Sequence, residues 1–280
     1  MSNAARARLS SPRSPSLAAP LVALARRDYS IRTTYRFAIG FDLFYGIVDL
    51  LIYYFISRTF KGASAADLGG APTYFAFVTV GIVITLVISA ASAQVGWQLR
   101  EEQLTGTLET LTAQPIRSWQ IALGTATWPF AFAVGRGAIY LLVAGTLLDV
   151  DLSQASWPGA LIVLLAAGLA LLGLGVALGA LVIAFKRGNQ IIGFVSLALG
   201  FAGGAFFPLA VLPGWLEFLG KLMPTRFIFD GMRTALFHGA GWGDDALVLL
   251  VYSLIGLPLA LWAFARGVQH ARRRGSLAEY

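Results

Sequence analysis

Apolar residues run along this chain in six long blocks, at about 37–57, 74–96, 119–148, 159–185, 190–212 and 245–265. A helix that crosses a bilayer needs roughly 20 mainly apolar residues, and each block meets that length. The pattern predicts an all-α integral membrane fold with six transmembrane helices. The fifth block is the least regular, because Gly200, Gly203, Gly204, Pro208 and Pro213 interrupt its outer half.

Outside the blocks lie three stretches of mixed character. From Pro20 to Arg36, Leu21, Leu24, Ile31 and Tyr35 share a helical face interrupted by Asp28, with Arg26, Arg27, Arg32 and Arg36 around it. This predicts an N-terminal interfacial helix whose arginines reach lipid phosphates; a cytosolic extension of the first span is the alternative. The second stretch, 100–115, is a polar island holding Glu101, Glu102 and Glu109, in which Leu104, Leu108 and Leu111 fall at i, i+4 and i+7. That spacing puts the leucines on one face of a short helix, which Gly106 weakens and Pro115 ends. The third runs from Pro213 through Trp215, Pro224, Arg226 and Asp230 to Arg233. It is too apolar for an ordinary loop and too interrupted to span. It predicts two short re-entrant or interfacial helices divided at Pro224, with local ion pairs among Arg226, Asp230 and Arg233. Such a segment either caps the bundle or forms an external gate.

Composition turns candidate helices into a membrane protein: 57% of residues are hydrophobic and only 12% charged, against about 25% charged in soluble domains. Orientation follows from lysine and arginine placement. With the N-terminus in the cytoplasm, the inner segments collect most of the 21 basic residues, and few fall outside, among them Arg58, Lys61 and Lys221. Both termini and the island at 100–115 are thereby placed in the cytoplasm. Residues 1–16, rich in Ser, Ala, Arg and Pro, predict a disordered cytosolic tail. Residues 269–280 predict a basic one suited to anionic headgroups. Residues 17–268 form the membrane domain. Nothing points to nucleic acid as a partner.

Three charges fall inside predicted spans: Asp42 and Asp49 in the first and Arg136 in the third. A charge at mid-membrane costs at least about 2.5–3.5 kcal/mol and normally has a partner. Similar depth pairs Asp49 with Arg136, either to fix packing or to serve a translocation path, while Asp42 lies nearer the cytoplasmic surface. Gly175 and Gly179 in the fourth span have the spacing that lets helices approach closely.

Catalytic chemistry is missing. The chain has no cysteine and two histidines, His238 and His270, which the topology puts on opposite sides. No phosphate-binding loop and no nucleophile elbow occur. Asp244-Asp245 reads as a helix cap. The sequence thus predicts no catalytic residue, no metal site and no cofactor bound by this chain.

The sequence resembles the membrane subunit of ABC-2 type transporters. One carrier of the likeness is Glu101-Glu102 followed by Gly106-Thr107-Leu108-Glu109, Leu111 and Pro115. The other is Phe206-Phe207-Pro208-Leu209 with Val211-Leu212-Pro213-Gly214-Trp215, Pro224 and Arg233. Gln103 departs from the pattern, standing where many relatives have a basic residue. The resemblance implies that Glu101 to Pro115 is a coupling helix seated on a separate ATPase subunit, which binds the ATP and Mg. It implies two copies of the chain with two such subunits, in a bacterial-type inner or plasma membrane. It also implies export of a hydrophobic or amphipathic compound, a lipid or a lipid-linked glycan. An ion- or proton-coupled carrier using Asp42, Asp49 and Arg136 is the alternative, and a polytopic membrane enzyme a more distant one.

Overall fold

The computed structural model describes residues 18–59, 68, 70–93, 96–98, 101–102, 105–106, 114, 118–184 and 188–274. Among them every regular element is helical. In chain order these are α1 (Ala19–Thr34), α2 (Arg36–Thr59), α3 (Tyr74–Ile88, prolonged by a π-helical turn at Ser89–Ala93), α4 (Ser118–Leu147) and α5 (Trp157–Ala184). There follow α6 (Gly188–Ala202), a 3₁₀ turn at Leu209–Val211, α7 (Gly214–Leu222), α8 (Pro224–Phe237) and α9 (Trp242–Arg274). The tail predicted at 1–16 lies outside the described residues. The C-terminal stretch predicted as a tail from 269 is helical as far as Arg274.

Among the described residues five helices are long and apolar enough to cross a bilayer: α2, α3, α4, α5 and α9. The fifth apolar block folds differently from its expected single span. α6 has 15 residues and so is about 22 Å long, short of a hydrocarbon core of ~30 Å. Gly204 ends it by taking φ +87°, a left-handed conformation that costs glycine little. The chain then passes Pro208, in extended conformation, and the 3₁₀ turn. Apolar composition continued past Ala202; helical geometry did not.

Helix starts follow local chemistry. The Thr73 side chain accepts a hydrogen bond from the Ala76 amide at 3.1 Å, capping α3. Ser156 Oγ accepts one from the Gly159 amide at 3.2 Å at the start of α5. Pro224 opens α8, where a missing amide donor costs nothing.

The two ends of the bundle are tied differently. At one end Tyr74 Oη donates to Phe206 O at 3.2 Å, the Ser156 amide to Ala235 O at 2.8 Å, and Tyr252 Oη to Leu222 O at 2.7 Å. These bonds gather the starts of α3, α5 and α9 with α7 and α8. At the opposite end Gly96 lies against Ile192 and Gly179, and α1 packs along the first third of α4. The chain from α6 onward therefore follows α3 from end to end: Ile192 beside Gly96, Gly200 beside Thr85, and Ala205 O against Gly81.

α3 is the centre of the bundle and buried nearly all round, whereas α2 fully buries only Leu50. Leu50, Phe77, Ile84, Ile88, Tyr140 and Phe229 are among the largest side chains fully enclosed in the core. α9 packs most extensively on α5. There Gly173 meets the backbone of Gly256 and Leu257, and two residues on Gly175 meets the backbone of Ala91 and Ser92. Small residues on one helix thus admit two neighbours at backbone contact, where packing is what associates helices in lipid.

Candidate functional site

The polar island begins at the end where α1 docks. Asp28, on the apolar face of α1, is 3% exposed and accepts a hydrogen bond from Gln98 Nε2 at 2.7 Å. Arg27 beside it reaches both Asp28 at 2.9 Å and Glu102 at 2.7 Å. Burial opposes the charge on Arg27, but the flanking carboxylates of Asp28 and Glu102 outweigh it and raise its pKa above the ordinary arginine value. The result is one strut, Gln98–Asp28–Arg27–Glu102, joining α1 to the segment after α3. Opposite charges with extra hydrogen bonds offset the cost of removing Asp28 and Glu102 from water.

This separates two residues that the sequence treats alike. Glu101 and Glu102 both appear there as contacts for another subunit; in the structure Glu101 is exposed, while Glu102 is buried against Arg27 of its own chain. The reason is α1, whose docking brings a cation to the inner side of the segment. The Thr105 amide and hydroxyl both donate to Glu101 O, at 2.9 and 2.8 Å, closing one helical turn. Gly106 follows with φ +74°. A helix does not continue through a left-handed residue, so the short helix that the leucine spacing predicts is broken at Gly106. Leu104, Thr107, Leu108, Glu109, Leu111 and Pro115 lie outside the described residues. A cleft of about 550 Å³ opens between α1 and this turn, with Arg27, Gln98, Glu101 and Glu102 in its walls.

The intramembrane pair is also rearranged. Arg136 pairs with Asp42, Nη1 to Oδ2 at 3.5 Å, and not with Asp49. Helix register explains the difference. Leu24 packs on Gly124, and the Tyr29 ring meets Trp128 edge-on at 4.9 Å, so the first third of α4 runs beside α1. Only beyond it does α4 face α2, where Tyr140 Oη donates to Asp42 O at 3.1 Å and Gly46 lies against the Tyr140 ring. Arg136 is therefore level with the beginning of α2. Asp49, seven residues on, lies about 10 Å further along the helix and is half-buried.

At the other end a second arginine is enclosed. Arg233 of α8 is 2% exposed, and its guanidinium lies 3.6 Å from the centre of the Phe77 ring. Its Nη2 donates to Gly204 O at 2.8 Å, with longer contacts to Phe77 O at 3.4 Å and Ala205 O at 3.5 Å. The predicted local pairs form as well: Arg226 with Asp230 at 3.3 Å and, more weakly, Arg233 with Asp230 at 3.9 Å. Arg233 thus holds the break after α6 against α3. Phe207 packs its ring on Phe201 at 5.6 Å, Pro208 and Pro224 are half-buried, and Pro213 and Trp215 are exposed. The sequence reading did not assign Arg27, Asp28, Gln98 and Tyr140 to any site. Asp28 carried a signal, as the acid interrupting the apolar face of a basic helix.

Among the described residues, five helices long and apolar enough to span, with a helix docked across their end and a polar strut beneath it, define a multi-pass membrane protein. The comparisons give the family. The profile of ABC-2 type transporters matches residues 21–237. Nodulation protein J of Sinorhizobium fredii is 30% identical over 188 residues, covering 65% of this chain and 69% of that protein. The inner membrane transport permease YadH of Escherichia coli K12 is 24% identical over 223 residues, covering 78% and 84%. The chain belongs to the ABC-2 type transporter family and is a transport permease.

Proposed function

We propose that the chain is the membrane subunit of an ATP-driven exporter, working as two copies with two separate ATPase subunits. ATP and Mg belong to those subunits, and this chain supplies the path and the mechanical link. The family match over residues 21–237 carries the reading. The strut supports it. A segment tied to α1 and α3 on one side, and presenting Glu101 on the other, moves as a unit with the helices it is tied to. Displacement of segment 101–115 by a closing ATPase pair would tilt α1 through Arg27, and would pull on α3 through Gln98.

Six crossings fit this scheme, with α6 and the chain to Phe206 forming the fifth, because that stretch follows α3 along its length. Both termini then lie in the cytoplasm, α1 rests at the inner surface and α7–α8 cap or gate the outer end. The inner membrane named for the Escherichia coli relative is the fitting location. The cargo class stays as the resemblance implies: a hydrophobic or amphipathic compound, a lipid or a lipid-linked glycan. An ion-coupled carrier is not favoured, since Arg136 and Asp42 neutralise one another.

The test is direct. The chain, reconstituted with a soluble ATPase that bears a phosphate-binding loop, should stimulate hydrolysis, and Glu101→Lys should abolish both stimulation and co-purification. A cysteine at Ser153 should label from outside with an impermeant reagent and one at Gly188 should not. ATP-independent uptake driven by a proton gradient would overturn the proposal.

A further inference from the structure

Of the three charges predicted inside spans, one is left over. Arg136 is paired with Asp42, while Asp49 has neither ion pair nor hydrogen bond with any described residue. Asp49 lies near the middle of α2, a helix of 24 residues. Charges at that depth are costly; they pair with one another or mark the path of a solute. No described side chain supplies a cation for Asp49. A proton would neutralise it as well, but the side chains beside it suit a larger partner. On the same face of α2, Gly46 lies three residues before Asp49 and against the Tyr140 ring, and Tyr53 follows four residues after. Asp49 is within electrostatic reach of both phenols. Tyr53 stacks on Phe206 at 5.6 Å, Phe206 meets Phe201 at 5.8 Å, and Phe201 meets Phe207 at 5.6 Å. A row of rings thus leads from the acid to the break after α6. The row is open to a ligand, because Phe201 is exposed and Asp49, Tyr53, Phe206 and Phe207 are half-buried.

We infer that Asp49 and this row of rings form a binding site for an amphipathic organic cation, which narrows the cargo class. The positive group of the ligand sits at Asp49, and its apolar part lies along Tyr53, Phe206 and Phe201. An acid beside accessible rings attracts such a cation twice, by opposite charge in a medium that screens it little and by the negative faces of the rings. A bare metal ion fits poorly. It takes about six or more oxygen ligands, no group of three His, Asp or Glu occurs among the described residues, and the Tyr140 hydroxyl is engaged with Asp42 O. As a cargo site it rests on the exporter reading; as a binding site it does not.

Equilibrium binding of tetraphenylphosphonium to the full chain in nanodiscs, with the uptake of empty nanodiscs subtracted, tests the site. Tetraphenylborate is the control, with the same shape and the opposite charge. The wild type should bind the phosphonium saturably and not the borate. Asp49→Asn should weaken binding about tenfold and Tyr53→Leu about threefold, while Asp49→Glu and Tyr53→Phe should stay close to the wild type. Asp151→Asn, an exposed acid between α4 and α5, should change nothing. Thermal unfolding of each variant confirms that it is folded. Binding to Asp49→Asn at wild-type strength, or equal binding of the borate, would overturn the site. The cargo role is read separately, in the complex reconstituted with its ATPase, where the phosphonium should raise hydrolysis more in the wild type than in Asp49→Asn. A complex that hydrolyses ATP but ignores the phosphonium would overturn the cargo role. A chain that binds the phosphonium yet stimulates no ATPase would overturn the exporter reading and keep the site.

Discussion

Each end of the bundle is fastened by an arginine, and the two are used in opposite ways. Arg233 is 2% exposed and spends its donors on neutral carbonyls, chiefly Gly204 O. Arg27, with its side chain 32% exposed, is held between two carboxylates, Asp28 and Glu102. Carbonyls have nowhere to go without unfolding the chain that carries them. Carboxylates at the rim of a cleft can exchange a guanidinium for water or for another cation. The fastening at Arg233 is thus structural, and the one at Arg27 a joint that can shift.

The contrast can be broken at several points. The largest effect is expected at Arg233. Arg233→Gln removes the cation from the Phe77 ring and leaves carbonyls short of donors, which should cost about 3 kcal/mol. Arg233→Lys should recover little, because an ammonium lacks the planar guanidinium face that lies 3.6 Å from the centre of the Phe77 ring. Thermal unfolding in nanodiscs reads both, and a loss no greater than at Arg27 would erase the distinction between the ends. Next comes the joint at Arg27. Arg27→Gln should cost about 1–2 kcal/mol, discounted for the solvent that reaches Arg27, and should speed amide exchange in α1 ahead of the core. A cycle of Arg27→Gln with Glu102→Gln should show coupling of about 1 kcal/mol, while strictly additive effects would remove the strut. The smallest effect is expected in the membrane pair. Asp42 is 62% exposed at its side chain, so coupling between Asp42→Asn and Arg136→Gln should be under about 1 kcal/mol. That between Asp49→Asn and Arg136→Gln should be absent. Tyr140→Phe should then loosen α2 by about 1 kcal/mol through the lost bond to Asp42 O.

These points also show how far the sequence carried. Apolar block length was enough for α2, α3, α4, α5 and α9, because a spanning helix declares itself by composition. It misled after Ala202, where the block stayed apolar while Gly204 turned the backbone. Depth counted from block ends paired Arg136 with Asp49. The docking of α1 on the first third of α4 was invisible to that count, and it shifts α2 along α4 far enough to bring Asp42 there. The same docking turns Glu102 inward. A contact between α1 and a segment some 70 residues away leaves no local pattern. Its trace is one acid, Asp28, on the apolar face of a basic helix.

The central claim is the division of labour between neighbours: Glu101 outward to the ATPase, Glu102 inward to Arg27. It is tested most directly by co-purification of the ATPase subunit with Glu101→Lys and Glu102→Gln variants whose thermal stabilities are measured in parallel. The account predicts that Glu101→Lys loses the ATPase at unchanged stability, and that Glu102→Gln keeps the ATPase while losing about 1 kcal/mol of stability. Loss of the ATPase on Glu102→Gln at full stability, with Glu101→Lys still bound, would contradict it.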